Sequence, residues 1–139
     1  MKKLLLTVML SILIAGCATV DELNPGAENV IVMFPPVPAS CKQLGYISSA
    51  DVNGVSQAYT THAELVKKEV YDLANKTVDM GGNVLVILTH KTEYSGKTQD
   101  SVVDRHKMGG IACYCQYERL PRLYGHPVSG LKFDQMVFE

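Results

Sequence analysis

The sequence predicts a small α+β domain: a mainly antiparallel sheet with one principal helix packed on one face, in the order strand, strand, helix, strand, strand. Three observations predict it. Residues 63–79 carry apolar side chains at three- and four-residue intervals, residues 84–88 form an unbroken aliphatic run, and segments on either side of this pair alternate like half-buried strands. An amphipathic helix needs a surface for its stripe, and a sheet is the simplest partner that buries both.

At the start of the chain, Lys2 and Lys3 precede the apolar run Leu4 to Leu13, which is too short to cross a bilayer as a resident helix. Ile14-Ala15-Gly16-Cys17 follows as a lipobox. Residues 1–16 therefore read as a lipoprotein signal peptide and Cys17 as the lipidated first residue of the mature chain. Ala18, where an aspartate would signal inner-membrane retention, matches the outer-membrane default of enterobacterial sorting. Acyl chains worth roughly 0.8 kcal/mol per buried methylene make the membrane a permanent partner, with the domain facing the periplasm. Cleavage removes 16 of the 139 residues and two of the 13 basic ones, leaving 123 residues with 11 basic against 14 acidic side chains, a formal charge of −3. That balance excludes a nucleic-acid binder by bulk charge, and the length suits one core.

Residues 17–29 are polar around Pro25-Gly26 and read as a tether of roughly 40 Å when extended. The domain is expected over 30–117. Val30 to Phe34 is a strand ended by Pro35, Pro36 and Pro38, which suit an edge because proline cannot donate to a ladder. Residues 41–48 form a second strand, with Cys41, Gln43, Gly45 and Ile47 on one side and Leu44 and Tyr46 on the other. In the helix, Leu65, Val66, Val70, Leu73, Ala74, Thr77 and Val78 make the apolar stripe, while Lys67, Lys68, Glu69, Asp72, Asn75 and Lys76 fall mostly elsewhere. Thr60 or Thr61 can cap its start, with Glu64 completing a capping box. Gly81 and Gly82 can release the chain through the left-handed conformation, with Gly82 expected at positive φ, and Asn83 opens the buried strand. Residues 93–108 are polar and read as a long connection. Gly109-Gly110 then lead into a strand over 111–117 that places Ile111, Cys113, Cys115 and Tyr117 on one face. Residues 118–139 are an extension broken by Pro121, Gly125, Pro127 and Gly130, with apolar side chains at Leu131, Phe133, Met136, Val137 and Phe138 to pack across the domain.

With Cys17 committed to lipid, Cys41, Cys113 and Cys115 remain, and an oxidising periplasm leaves one intramolecular pair and one odd thiol. Joining Cys113 to Cys115 would distort a strand, so Cys41 pairs with one of the two. The same sulfurs, with His90 or His106, could instead hold zinc or copper(I), or serve a redox response. The histidines at 62, 90, 106 and 126 have no ligand spacing and read as surface residues, so no metal or other cofactor is expected. No serine or cysteine sits in a nucleophile elbow or beside a paired base, so no catalytic residue is assigned and the chain does not read as an enzyme.

Cys41-x-x-Leu44-Gly45, the helix ending Met80-Gly81-Gly82-Asn83-Val84, and the Gly110 strand ending Tyr114-Cys115 together resemble the small bacterial lipoproteins of domain-of-unknown-function family 4156. The arrangement is more distantly similar to the outer-membrane lipoprotein that senses envelope stress for the Rcs phosphorelay. The resemblance implies a disulfide from Cys41 to Cys115, with Cys113 as the alternative partner. It also implies a non-catalytic binding or envelope-stress role with an envelope protein as partner. The chain departs from the sensor in its short tether, and from the family pattern in Cys113 and the C-terminal extension.

Overall fold

A computed structural model of the protein describes residues 22–52, 62–94, 103–122 and 125–136. The expected signal peptide, Cys17 and the helix cap expected at Thr60 or Thr61 lie outside the described residues. Strands β1 (Ile31–Met33), β2 (Lys42–Val52), β3 (Val84–Tyr94), β4 (Val103–Tyr114) and β5 (His126–Pro127) form one sheet in the order β2-β4-β3-β1-β5. The pairs β2/β4, β3/β4 and β1/β5 are antiparallel, and β1 runs parallel to β3. Helix α1 (His62–Asp79) covers one face, so the α+β class and the single covering helix are as expected.

The helix-side core joins Val66, Val70, Leu73 and Ala74 to Leu85, Ile87 and Met108, with Ala27, Val30, Val32 and Val128 closing its flank. A second cluster on the opposite face gathers Met33, Val84, Val86, Cys41, Cys113 and Cys115. Besides Thr77, which belongs to the stripe, two polar residues of α1 expected off it are buried. Asn75, 6% exposed, accepts from the Asn24 backbone N–H and donates to the Glu22 carbonyl. Glu69, 1% exposed, belongs to the site described below. The Asn75 clamp and the fully buried Ala27 show that residues 22–29, expected as part of a tether, pack against the domain.

α1 ends in a paired-bond cap. The Gly81 N–H reaches the Val78 carbonyl and the Gly82 N–H the Thr77 carbonyl, each at 2.8 Å, and only Gly81 of the two has positive φ, at 81°. Gly82 is needed for a different reason than the left-handed backbone expected of it. A Cβ there would lie 2.8 Å from the Cys113 carbonyl oxygen and 2.9 Å from Thr77 Cγ2, so helix and β4 approach through the missing side chain. Asn83 then grips the chain just past β4: its Nδ2 donates to the Cys115 carbonyl at 2.7 Å and its Oδ1 accepts from the Cys115 N–H at 2.8 Å. Beside it Cys41 and Cys115 form the disulfide, with Cα atoms 4.4 Å apart.

Three expectations are corrected. The polar stretch 93–108 is largely strand, because β3 continues to Tyr94 and β4 begins at Val103. The face assignment in β2 fails at a bulge between Gln43 and Gly45, which sends Gln43 and Ile47 to opposite faces, and β4 ends before Tyr117, which is 84% exposed. The C-terminal extension packs across the domain as expected: β5 pairs with β1, and Phe133 stacks edge-on to Tyr71 of α1 at 6.0 Å between ring centroids.

Candidate metal centre

At the end of α1 remote from the disulfide, the helix-side core turns polar. Residues seven apart share a helix face, so His62, the first residue of α1, and Glu69 both look toward the sheet. His106 comes from β4, two residues before the buried Met108, and is fully buried on the same face. His90 comes from β3. Simple alternation from Val86 would put it on the opposite face with Val86 and Leu88. Between Ile87 and Thr89 the register shifts by one residue: Ile87 pairs with Gly110, Thr89 with Gly109 and His90 with Met108. Leu88 is the extra residue, and this bulge turns His90 to the helix side.

One ligand atom from each of His62, His90 and His106 lies within 4.8 Å of the others. The His90 and His106 Nε2 atoms meet, and His106 Nδ1 meets Glu69 Oε2. The His62 ring packs edge-on to both other rings, with centroid separations of 5.9 Å to His90 and 5.3 Å to His106. Burial first, and the neighbouring His62 second, lower the pKa of His90 and push that of His106 down to about 4. Both are then neutral at pH 7 and offer lone pairs in place of charge. The contact of His106 with Glu69 is therefore a neutral imidazole on a buried carboxyl, and an ion pair only once the ring gains a proton. Among the described residues, the buried side-chain polar atoms lacking a hydrogen-bond partner are His62 Nδ1 and Glu69 Oε1, both in this cluster. Each such atom costs about 1–3 kcal/mol.

This donor set fits a divalent cation. Three imidazole nitrogens suit zinc, copper(II) or nickel(II), and a carboxylate on the far nitrogen of a ligating histidine fixes its tautomer and raises its basicity. His62 Nδ1 would gain a partner, and the buried carboxylate a compensating positive charge. The placement differs from the sequence reading, which put all four histidines on the surface. His126 alone of the four is exposed, in β5. The sulfurs are not part of this centre: two are in the disulfide, and Cys113 lies fully buried in the opposite-face cluster, where burial raises its thiol pKa. The His62/Glu69 spacing was a readable signal for this face of α1; the bulge that delivers His90 left none.

These features define a class: a small α+β domain, one helix on a five-stranded sheet, disulfide-closed at one end and carrying a carboxylate-braced histidine trio at the other. A family model described as a domain of unknown function, DUF4156, matches residues 21–115, and the chain belongs to that family. It is similar to the uncharacterized protein YjeI of Escherichia coli K12, 27% identical over 75 residues, which is 54% of this chain and 64% of the relative. Proteins of that name from a second Escherichia coli strain and from Shigella flexneri match to the same extent. The match thus spans a little under two thirds of the relatives' length. No solved structure matches.

Proposed function

We propose that the protein is a lipid-anchored, non-catalytic module of the bacterial outer membrane whose periplasmic domain binds one divalent transition-metal ion through His62, His90 and His106. The observation that carries the metal reading is the convergence of three imidazoles from three separate elements, braced by the buried Glu69. The anchor rests on the Lys2-Lys3, apolar, Ile14-to-Cys17 succession, and the exposure to an oxidising compartment is consistent with the Cys41–Cys115 bond. Among the described residues no helix is long and apolar enough to cross a membrane. An envelope-stress role is part of the same proposal, with the metal ion as what is sensed and an envelope protein as the partner that reads it.

Calorimetric titration of metal-stripped protein with zinc, copper(II) and nickel(II) tests the site: one equivalent binds, and His90→Ala or His106→Ala abolishes tight binding. Absence of stoichiometric binding for all three ions refutes the metal reading. Cys17→Ser tests the anchor, since the variant loses the acyl mass and its membrane fractionation. An acylated, processed Cys17→Ser species refutes the lipobox assignment.

A further inference from the structure

We propose that metal occupancy fastens the first turn of α1 to the outer half of the β3–β4 hairpin, so that binding is read out as a gain of order at this end of the domain; this rests on the metal reading above. The two ends of α1 are held by different means. At the C-terminal end the Gly81/Gly82 cap, the Asn83 grip on Cys115 and the disulfide tie helix, β3 and β4 together whatever the metal does. The middle is held by Val66, Val70 and Leu73 against Leu85, Ile87 and Met108, all 2% exposed or less. Beyond Met108 the apolar contacts give way to His62, Glu69, His90 and His106.

Among the described residues, both buried polar side-chain atoms without a partner fall in that last layer, both on α1 and one of them in the histidine trio. A hydrophobic layer would hold the helix start without help. Leu65 and Val66 already bury their side chains here, but the imidazole layer beyond them leaves polar atoms unpaired until a cation links one nitrogen from α1, one from β3 and one from β4. Because His62 is the first helical residue, the link acts on the turn with the fewest intrahelical bonds behind it. Ordering that favours the bound state must in turn be favoured by binding, which is the reciprocity a sensing element requires.

Hydrogen exchange of the full chain, with zinc and with chelator, tests this. Zinc is expected to slow exchange at least tenfold in peptides covering 62–66, 90–94 and 103–107, and to leave peptides around 43–46 and 111–115 unchanged. In His62→Ala, the two strand histidines still bind zinc at least tenfold more weakly, and saturating zinc then protects the hairpin peptides without protecting 62–66. Stoichiometric zinc binding with unchanged exchange at 62–66 overturns the fastening while leaving the metal site intact. Zinc protection of 62–66 persisting undiminished in His62→Ala overturns it as well. No zinc binding by the parent chain removes the metal reading itself.

Discussion

Glu69→Gln should move metal affinity and metal-free stability in opposite directions. Glu69 is 1% exposed, and its Oε2 meets His106 Nδ1 while its Oε1 has no partner. In the loaded protein the carboxylate accepts from the Nδ1–H of a ligating imidazole and partly offsets the charge of the ion. An amide oxygen can accept the same hydrogen bond without the charge, and losing such a partner lowers affinity about 10- to 100-fold, equivalent to about 1.4–2.7 kcal/mol. In the metal-free protein the balance reverses. A fully buried carboxyl group with one oxygen unpartnered faces a ring that burial holds neutral, which carries a desolvation cost. The isosteric amide relieves part of it, so stability without metal should hold level or rise by about 1 kcal/mol. Competition titration against a chromophoric zinc indicator gives the first quantity, and urea denaturation in chelator the second. Unchanged affinity would show that Glu69 does not support the ligand. A parallel loss of affinity and of about 2 kcal/mol or more of metal-free stability would mean that its role is structural.

Removing the disulfide by Cys41→Ala should cost about 4 kcal/mol, because the bond spans 74 residues of sequence and restricts a long unfolded loop; urea denaturation measures the loss, and labelling of denatured, non-reduced parent at Cys41 or Cys115 would contradict the bond. Gly82→Val should cost about 2–3 kcal/mol through collision with the Cys113 carbonyl and Thr77, while Gly81→Ala should cost about 1 kcal/mol through its positive φ; equal thermal midpoints for parent and Gly82→Val would defeat the close-approach argument. For pH the sign follows from His106. Its unfolded imidazole takes a proton near 6.5 and its folded one at about 4, so the unfolded state binds more protons between these values. Metal-free stability therefore falls as pH drops through that window, by up to about 3 kcal/mol, and a pH series of urea midpoints should show a slope that His106→Asn flattens.

Local patterns in the sequence carried the elements whose causes are themselves local. The apolar stripe of α1, its stop at Gly81-Gly82 and the aliphatic run of β3 all depend on residues a few positions apart. The sequence by itself therefore determined the α+β class, the helix and its cap, and a disulfide involving Cys41. The partner in that bond came from family resemblance, and the structure agrees with it.

Tertiary structure decided what depends on register between distant strands. Alternation is reliable only until a strand gains a residue: the shift at Gln43/Gly45 exchanges the faces of β2, and the one at Ile87/Thr89 turns His90 from the outer face to the helix side. Without that second shift, His90 would lie on the opposite side of the sheet from His106 and Glu69. The three histidines are separated by 28 and 16 residues in sequence, which no ligand-spacing rule relates, yet they meet because α1, β3 and β4 stack at one end of the core. Glu69 reads as a solvated charge from its neighbours Lys67 and Lys68, and is buried because it lies two turns from His62 on the face that meets β4. The physical reason is the same in each case: periodicity reports which residues share a face within one element, whereas a metal centre requires faces of three elements to be brought into contact, and only their packing and hydrogen-bond register set that.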